Sequence, residues 1–432
     1  METSGNPVLL ASPNLSTTSS PLRNNTISTI ATGQAYILSL ANLDGKYAAM
    51  SSGSSSSSSS KNTGINENST CPIYLYSKYT LQREQTLPGH EISSTFMRSV
   101  NSIAGLGRPV LVSSGKDGSV RVWDERSGSP GIQMTDLSKS RAFLSFDVSL
   151  DGYTVAAGTE LQGDDASVLY WDPRQPAAPL RTHSSTHSDD ITVVHFSPKR
   201  PGVLLTASSD GLVSLSNSDE VDEDESVINV GNWGCSISQA GWLPDGSRIW
   251  CASDMETFGT WSEELELLQS HDIRAPCLHS GPKTWVTDYL INACPSSPSS
   301  DGNLDVFVGS NEGDIALLSN SDLATPQSPG QWSLHKVWST GHEGIVRSLM
   351  WDEQNQVLVT GGEDGKLCVW PGLSQGGLGG RGVVFEDNAM DVDIDATNID
   401  AGKNSKRTRT RATDWDAEDG DTIGKNGKRF KR

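Results

Sequence analysis

The chain has 432 residues, a formal net charge of −20 at pH 7 and six cysteines. A chain of this length can bury one large core or two ordinary ones, and its excess of carboxylates argues against broad binding to phosphate backbones. The cysteines stand singly, so neither a disulfide framework nor a zinc site is expected. No apolar run approaches the roughly 20 residues of a membrane span, and the amino terminus lacks the architecture of a secretion signal. We expect a nuclear or cytoplasmic protein that is neither secreted nor bound to membranes.

The first predicted segments are short and polar. Residues 1–25 are rich in Ser, Thr, Asn and Pro and are predicted to form a disordered leader. A short strand is predicted at Thr26–Ile30, ahead of a second strand at 35–40. A serine-rich run at 51–60 is expected to be an insertion at a hairpin tip, because ordering it would cost conformational entropy without burying apolar surface.

The pattern that organises the rest of the chain is a β-hairpin predicted at 110–126. An apolar strand, a tight turn at Asp117-Gly118 and an alternating strand follow one another, and Asp-Gly between alternating apolar runs is the strongest short-range hairpin signal. The pattern returns at 357–370. In both copies a hydroxyl residue stands four residues before the aspartate and a tryptophan six residues after it, and a histidine precedes the copy: His90, Ser113, Asp117 and Trp123, then His342, Thr360, Asp364 and Trp370.

These residues resemble the signature of the WD-repeat family. The resemblance implies an all-β fold, a seven-bladed β-propeller over residues 26–371, with four, five or six blades as less favoured counts. Seven blades of about 40–45 residues need roughly 300 residues. Propellers of this kind commonly close their ring with a strand from the amino terminus, and we assign that role to Thr26–Ile30. A tract over 156–213 resembles one subfamily of WD-repeat proteins, which implies a non-enzymatic scaffold.

The remaining repeats are less regular. The third keeps the spacing between Asp165 and Trp171 around an enlarged turn, and the fourth has Ser216 where a tryptophan is expected, before an acidic loop at 219–225. Repeats 5 and 6 are degenerate, and the residues at their aspartate or tryptophan positions include Met255, Glu312 and Leu318. The positions assigned to the repeat network are His90, Ser113, Asp117, Trp123, Asp165, Trp171, His187, Thr206, Asp210, His342, Thr360, Asp364 and Trp370.

The repeated set superficially resembles a Ser-His-Asp catalytic triad. It recurs in several repeats, however, and its hydroxyl lies inside a predicted strand, so we predict a structural hydrogen-bond network. Glycines at 377–382 match a dinucleotide fingerprint but neither follow a predicted strand nor open a helix, and are interpreted as a linker. His183 and His187, with two nearby aspartates, lack the ligand count of a zinc site. We expect no enzymatic activity, no cofactor and no metal.

Two consecutive repeats end in Trp-Asp-x-Arg. This motif resembles the one by which WD-repeat substrate receptors of cullin-RING ubiquitin ligases dock the damaged-DNA-binding adaptor, which would make the chain such a receptor. An arginine after Trp-Asp leaves the strand at the rim, where its planar guanidinium can pair with carboxylates. A cation after Trp-Asp is also common in WD repeats without this role. The motif residues are Trp123, Asp124 and Arg126, and Trp171, Asp172 and Arg174.

Beyond residue 371 the repeats end. Residues 372–432 are predicted to form a disordered tail in which acidic and basic blocks alternate. Its basic residues fit a nuclear import signal or a tail that contacts nucleic acid, as in a ribosome-assembly factor, with a merely solvated tail as the alternative. They are Lys406, Arg407, Arg409, Arg411, Lys425, Lys428, Arg429, Lys431 and Arg432. The overall expectation is a monomeric, non-catalytic platform for other proteins.

Overall fold

In the computed structural model the described residues are 8–27, 35–52, 71–126, 128–136, 141–280, 283–295, 304–320, 322–323 and 331–372. The chain divides into two units, residues 1–375 and 376–432, and the described elements lie in the first. Nearly all of the described secondary structure is β-strand, and the described helix α1 covers Glu223–Ser226.

The strands, in chain order, are β1 (Val8–Thr18), β2 (Arg23–Thr26), β3 (Ile37–Asn42), β4 (Lys46–Ser51), β5 (Cys71–Ser77), β6 (Arg83–His90), β7 (Ser94–Val100), β8 (Val110–Gly115), β9 (Ser119–Asp124), β10 (Ser129–Thr135), β11 (Phe143–Val148), β12 (Val155–Thr159), β13 (Val168–Trp171), β14 (Arg181–His183), β15 (Ile191–Phe196), β16 (Val203–Ser208), β17 (Leu212–Asn217), β18 (Val227–Asn232), β19 (Ile237–Trp242), β20 (Ile249–Ser253), β21 (Thr257–Trp261), β22 (Leu267–Asp272), β23 (Leu278–Ser280), β24 (Lys283–Trp285), β25 (Tyr289–Pro295), β26 (Leu304–Gly309), β27 (Ile315–Asn320), β28 (Gln331–Trp338), β29 (Val346–Asp352), β30 (Val357–Gly362) and β31 (Lys366–Pro371).

Seven sheets form the blades of a β-propeller, which confirms the predicted fold. Blades 1 to 5 are β3–β6, β7–β10, β11–β14, β15–β18 and β19–β22; blade 6 is β25–β28 with β1 added, and blade 7 is β29–β31 with β2. The first strand of each blade contacts the first strands of both neighbouring blades, so these strands line the axis of the ring. Since successive strands of a blade are antiparallel, the turns after its first and third strands share one face, here called the lower face. The other turns lie on the upper face.

A ring of side-chain hydrogen bonds joins the inner strands. In six of the seven junctions a polar side chain of one inner strand donates to a backbone carbonyl of the next blade. Such a bond typically contributes about 1 kcal/mol, and these bonds fix the height of each blade against its neighbour. The donor and acceptor pairs are Ser39 and Met97, Thr95 and Phe143, Ser145 and Ile191, Thr192 and Ile237, Gln239 and Ile291, and Ser348 and Ile37. At the remaining junction Val346 N donates to the Tyr289 hydroxyl at 2.8 Å.

The amino-terminal segment differs from the sequence prediction in two ways. The closing strand is Arg23–Thr26, paired antiparallel with β31, rather than Thr26–Ile30, and residues 28–34 lie outside the described part. Residues 8–18, expected to be disordered, form β1 and add a parallel fifth strand to blade 6. Leu9 explains the ordering, because it is only 3% exposed and packs in the same apolar cluster as Trp332. A leader that buries an apolar side chain and pairs with an open strand edge gains enough to offset its ordering entropy.

The tight turn at Asp117-Gly118 is built differently from a two-residue hairpin. Only Gly118 has a positive φ, of 71°, while Asp117 does not. Gly115 pairs with Ser119, so the loop has three residues, and Gly118 N donates to Gly115 O at 3.2 Å. A type I turn followed by a left-handed glycine is the usual three-residue solution.

The predicted serine-rich insertion and the predicted acidic loop each contain residues of a described element. Ser51, counted within the serine-rich insertion 51–60, is buried at the end of β4, while residues 53–70 lie outside the described part. The acidic loop 219–225 contains the start of α1, where the Asp222 side chain accepts a hydrogen bond from Asp224 N. Glu223 accepts bonds from the backbone N–H groups of Ser184 and Ser185, at 2.8 and 2.7 Å, which ties the loop to the end of blade 3.

Candidate interaction surface

In blade 2 the four repeat residues form one hydrogen-bonded chain. His90 Nδ1 lies 2.9 Å from Asp117 Oδ1, and His90 Nε2 lies 2.8 Å from Ser113 Oγ. Trp123 Nε1 donates to the same Ser113 hydroxyl at 2.8 Å. His90, Ser113 and Trp123 are each at most 1% exposed. This series of hydrogen bonds therefore satisfies buried polar groups that would otherwise destabilise the blade.

Blade 7 repeats this geometry closely. His342 Nδ1 lies 3.1 Å from Asp364 Oδ1 and its Nε2 lies 2.8 Å from Thr360 Oγ1. Trp370 Nε1 donates to Thr360 Oγ1 at 2.9 Å. The two networks lie in blades 2 and 7, the neighbours of blade 1. Each links a turn on the upper face to a side chain in the middle of a strand.

The aspartates of these networks are held ionised. Burial alone would raise the pKa of Asp117, but hydrogen bonds from His90 and Ser119 and from the Glu91 backbone hold it well below its usual range. At Asp364 burial alone would also raise the pKa, but hydrogen bonds from His342 and from the Glu343 backbone lower it. A carboxylate that accepts several hydrogen bonds favours its charged form.

Blade 4 holds a network without a tryptophan. His187 Nε2 lies 2.8 Å from Thr206 Oγ1, and His187 Nδ1 lies 3.3 Å from Asp210 Oδ2. Ser216, at the tryptophan position, pairs with Leu204 and is buried. His183, weighed with His187 as a metal ligand, instead packs edge-on against the Tyr170 ring with centroids 5.1 Å apart.

The assignment of Asp165 to the blade 3 network requires correction. Asp165 stands six residues before Trp171, as in the regular repeats, but its side chain is exposed. The longer turn between β12 and β13 carries the carboxylate out into solvent. Sequence spacing alone could not show this, because the offset to the tryptophan is kept.

Blade 3 also lacks the hydroxyl of the network. Trp171 pairs with Val155 on the neighbouring strand, as Trp123 pairs with Leu111 in blade 2. Two residues beyond this partner, blade 3 has Ala157 where blade 2 has Ser113. Trp171 is fully buried, and among the described residues its indole N–H has no hydrogen-bond partner. The spacing of Asp165 and Trp171 therefore predicted a hydrogen-bond network, but the hydroxyl that would accept from the tryptophan is absent.

Blades 5 and 6 have replaced the network with other contacts. In blade 5 Cys251 stands at the hydroxyl position, where burial raises the pKa of its thiol, and Met255 is 69% exposed. In blade 6 Leu318 is fully buried at the tryptophan position, while Glu312 is exposed. The side chains at the hydroxyl and tryptophan positions of blade 5, Cys251 and Trp261, and Leu318 at the tryptophan position of blade 6 are all buried.

The geometry of the networks does not suit nucleophilic catalysis. The hydroxyls of Ser113 and Thr360 belong to residues that are 0% exposed, so a substrate carbonyl has no route to them. A triad is defined by the roles and access of its residues rather than by their types. The arrangement is suited to holding strands and turns in register.

The first Trp-Asp-x-Arg motif separates into a buried and an exposed half. Trp123 is 1% exposed and belongs to an apolar cluster with Met50 and Leu75 of blade 1. Arg126 lies in the lower-face turn after β9, with its side chain 76% exposed and its Nε 3.4 Å from Asp124 Oδ1. Backbone and side-chain bonds from Arg126 also lower the pKa of Asp124.

The second motif holds its arginine more tightly. Arg174 Nη2 lies 2.6 Å from Asp172 Oδ2 and Arg174 Nε lies 2.9 Å from Asp172 Oδ1. The guanidinium also stacks 4.6 Å from the Tyr153 ring centroid, while the side chain remains 57% exposed. Trp171 is buried. Both arginines therefore lie on the lower face of consecutive blades and present donors to solvent.

A third Asp-x-Arg pair was missed by the sequence prediction. Arg274 Nη2 lies 2.7 Å from Asp272 Oδ2, and Arg274 Nε lies 2.9 Å from Asp272 Oδ1. It follows the fourth strand of blade 5 and lies on the upper face. The pairing is thus a local turn geometry, and the two predicted arginines differ from Arg274 in following a buried tryptophan and in lying on the lower face. The Asp-Ile-Arg spacing, without a tryptophan, was the one available signal.

The axis of the ring contains a charged cluster that has no sequence motif. Arg98 Nη1 lies 2.5 Å from Asp147 Oδ1, and Phe196 N donates to Asp147 Oδ2 at 2.8 Å. His195 Nδ1 lies 3.6 Å from the same carboxylate. Burial would raise the pKa of Asp147, but the charge of Arg98 and the bond from His195 lower it. The cluster joins blades 2, 3 and 4 at a cavity of about 740 Å³.

Several expectations fall outside the described part of the chain. The basic tail residues proposed as an import signal all lie beyond residue 372 and are not described.

No helix among the described residues is long and apolar enough to cross a membrane. Within the same residues, no group of three or more His, Cys, Asp or Glu side chains could hold a metal ion.

Comparison with known proteins gives consistent matches. The WD domain, G-beta repeat family matches residues 81–124 and 333–371. The chain is 31% identical over 315 residues to the WD repeat-containing protein GTS1 of Arabidopsis thaliana, covering 70% of this chain and 76% of that protein. It is 25% identical over 306 residues to the WD repeat-containing protein 89 homolog of Dictyostelium discoideum, covering 69% and 77%; this is the subfamily that the tract 156–213 resembles. A chain in the crystal structure of the mitotic checkpoint complex matches with a TM-score of 0.56 at 12% identity, covering 82% and 92%, a likeness of fold alone.

Proposed function

This chain belongs to the WD-repeat family, and from that premise we propose that it is a non-catalytic platform that binds other proteins through its lower face. WD-repeat propellers generally mediate protein interactions, since a rigid ring presents many turns without supplying a reactive centre. The observation that carries the choice of face is the exposure of Arg126 and Arg174 on adjacent lower-face turns, at 76% and 57% of their side chains.

The specific partner we propose is the damaged-DNA-binding adaptor of cullin-RING ubiquitin ligases, which would make the chain a substrate receptor. Support comes from the orientation of the two motifs, whose tryptophans are buried as anchors while their arginines face solvent. A guanidinium fixed by an aspartate of its own turn is already ordered, so less entropy is lost when a partner carboxylate binds.

The test is a quantitative affinity purification of the tagged full-length chain from extract of its native source. Wild type is compared with the double variant Arg126→Ala/Arg174→Ala and with Arg274→Ala, which removes the same local pair on the opposite face. We expect the adaptor with wild type and Arg274→Ala, and its loss from the double variant. Absence of the adaptor from the wild-type sample would rule out the receptor proposal.

We also propose that part of the protein resides in the nucleus, because the tail carries clusters of lysine and arginine at 406–411 and 425–432. A fluorescently tagged chain with alanine at these basic residues should shift toward the cytoplasm relative to wild type. An unchanged distribution would remove the tail from the account of localisation.

A further inference from the structure

We propose that the lower face of blades 2 and 3 is one continuous docking surface for a partner segment in which an apolar side chain is flanked by carboxylates. It consists of Leu106, Leu150 and Tyr153 together with Arg126 and Arg174, and is called the blade 2–3 surface below. The inference deepens the proposed function and rests on it for the assignment of the partner to the lower face.

The blade 2 side of the surface is organised around Asp124. Arg126 Nε lies 3.4 Å from Asp124 Oδ1, and Arg108 Nη2 lies 3.7 Å from the same oxygen. Arg108 belongs to the turn between β7 and β8, so this carboxylate draws together both lower-face turns of blade 2. The arginine side chains nevertheless remain 76% and 47% exposed.

The turn that contains Arg108 presents an apolar residue in a fixed position. Ala104 and Gly105 both have positive φ, 52° and 80°, and Ile103 and Leu106 form an isolated β-bridge around them. Ile103 is fully buried, whereas Leu106 is 41% exposed. A two-residue turn with both central residues left-handed is tightly constrained, so Leu106 is held out toward solvent by backbone geometry.

The same turn connects blade 2 to blade 3. Ala104 N donates to Gly152 O at 2.9 Å, and Gly152 is followed by Tyr153, whose ring carries the Arg174 guanidinium at 4.6 Å. Tyr153 is 41% exposed and Leu150, in the same turn, is 60% exposed. An unbroken series of contacts therefore runs from Arg126 through the turn of Leu106 to Arg174.

The composition of this surface indicates the chemistry of its partner. Tyrosine and arginine side chains are enriched at the energetic centres of protein interfaces, and Leu106 and Leu150 add exposed apolar area beside them. A guanidinium has five N–H donors, and Asp172 engages Nε and Nη2 of Arg174, which leaves donors for a partner carboxylate. Because the whole chain has a net charge of −20, carboxylates of a partner are disfavoured over most of it, and these arginines select where they bind.

The test places a photo-crosslinking residue in the surface of the full-length protein. The probe is p-benzoylphenylalanine, incorporated in place of Leu106, or in place of Leu267 as a control that is similarly exposed at 45% in blade 5. Cross-linked peptides from native extract are sequenced, in the wild-type background and with Arg126→Ala/Arg174→Ala. In parallel, purified adaptor is titrated against wild type, Leu106→Asp and Leu267→Asp.

We expect cross-links at position 106 well above those at 267, lost in the arginine double variant, to a segment with an apolar residue between Asp or Glu residues. Leu106→Asp should weaken adaptor binding at least tenfold while Leu267→Asp leaves it unchanged. If the cross-linked protein is not the adaptor but its cross-linked segment has the expected apolar residue between carboxylates, the surface stands and the receptor proposal falls. If the adaptor binds but Leu106→Asp has no effect, or the cross-linked segment lacks carboxylates, the blade 2–3 surface is overturned and the receptor proposal stands. If neither cross-links nor adaptor binding are found, both are overturned.

Discussion

The Asp117 carboxylate lies 2.9 Å from Nδ1 of a fully buried histidine, His90, whose other nitrogen is also bonded. Removing the carboxylate leaves the imidazole and the Glu91 N–H without that acceptor. We expect Asp117→Ala to lower the free energy of unfolding by about 1–3 kcal/mol, and Asp364→Ala in blade 7 to act in the same way. Urea denaturation at neutral pH measures both.

The matched control is Asp165→Ala. Asp165 has the same spacing to its tryptophan but is exposed, so its replacement should change the free energy of unfolding by less than about 0.5 kcal/mol. Equal effects at Asp117 and Asp165 would show that the network contributes no more to stability than an exposed aspartate.

A missing hydroxyl can be supplied in blade 3. Ala157 is fully buried at the position equivalent to Ser113, and the Trp171 indole N–H has no partner among the described residues. Ala157→Ser places an acceptor at that position, and we expect stability to rise by about 1 kcal/mol. Ala157→Val, which adds volume without an acceptor, should be destabilising. A loss of stability in the serine variant would contradict this account of the blade.

The partly buried imidazole of His271 predicts a pH dependence. Burial, against Phe258 and Trp332, lowers the pKa of His271 to about 4, while an unfolded histidine titrates near 6.5. As the pH falls, the unfolded chain therefore takes up a proton before the folded protein does. The contribution of the neutral imidazole to folding stability is thus fully present above about pH 6.5 and is lost between about pH 6.5 and pH 4. Between pH 7 and 5 the loss should be about 1–2 kcal/mol.

The variant His271→Leu removes this titration, and its stability should fall less between pH 7 and 5 than that of wild type. His279→Leu, which changes an exposed histidine, serves as the control. Parallel stability profiles for wild type and His271→Leu would exclude the imidazole as the source.

Ring closure by the amino terminus predicts a graded effect of truncation. Removing residues 1–20 takes away β1 and the burial of Leu9, on the order of 2–3 kcal/mol. Removing residues 1–27 also takes away β2 and leaves β31 as an open edge, so we expect a much larger loss, measurable as amide exchange across 366–371. Equal protection in the two truncated chains would contradict the closing role of β2.

The fold was largely predictable because repeat spacing is a local property. The Asp-Gly turns and the tryptophans of blades 2 and 7 marked the propeller, and strand alternation supplied the rest. Order in β1 was not predictable from composition, because one apolar residue, Leu9, and a distant strand edge decide it. The closing strand was misplaced by a few residues because Arg23–Thr26 has no apolar residue to mark it as a strand, whereas Thr26–Ile30 contains two isoleucines.

The candidate surface was only partly predictable. Trp-Asp-x-Arg identified Arg126 and Arg174 by spacing, but their connection depends on Tyr153 and on the turn at 103–106, which the fold brings together from separate strands. The cluster of Arg98 and Asp147 on the ring axis had no sequence signal for the same reason. Asp165 shows the converse, since a correct spacing does not fix where an enlarged turn carries its side chain.

The central claim is that Arg126 and Arg174 together dock the damaged-DNA-binding adaptor on the lower face. Its most direct test is titration of purified damaged-DNA-binding adaptor against the purified full-length chain, the double variant Arg126→Ala/Arg174→Ala and the upper-face control Arg274→Ala, after all three are shown to be folded. We predict binding by wild type and Arg274→Ala, and an affinity at least tenfold lower for the double variant, about 1.4 kcal/mol or more. Equal affinity for wild type and the double variant, or no binding by wild type, would contradict the claim.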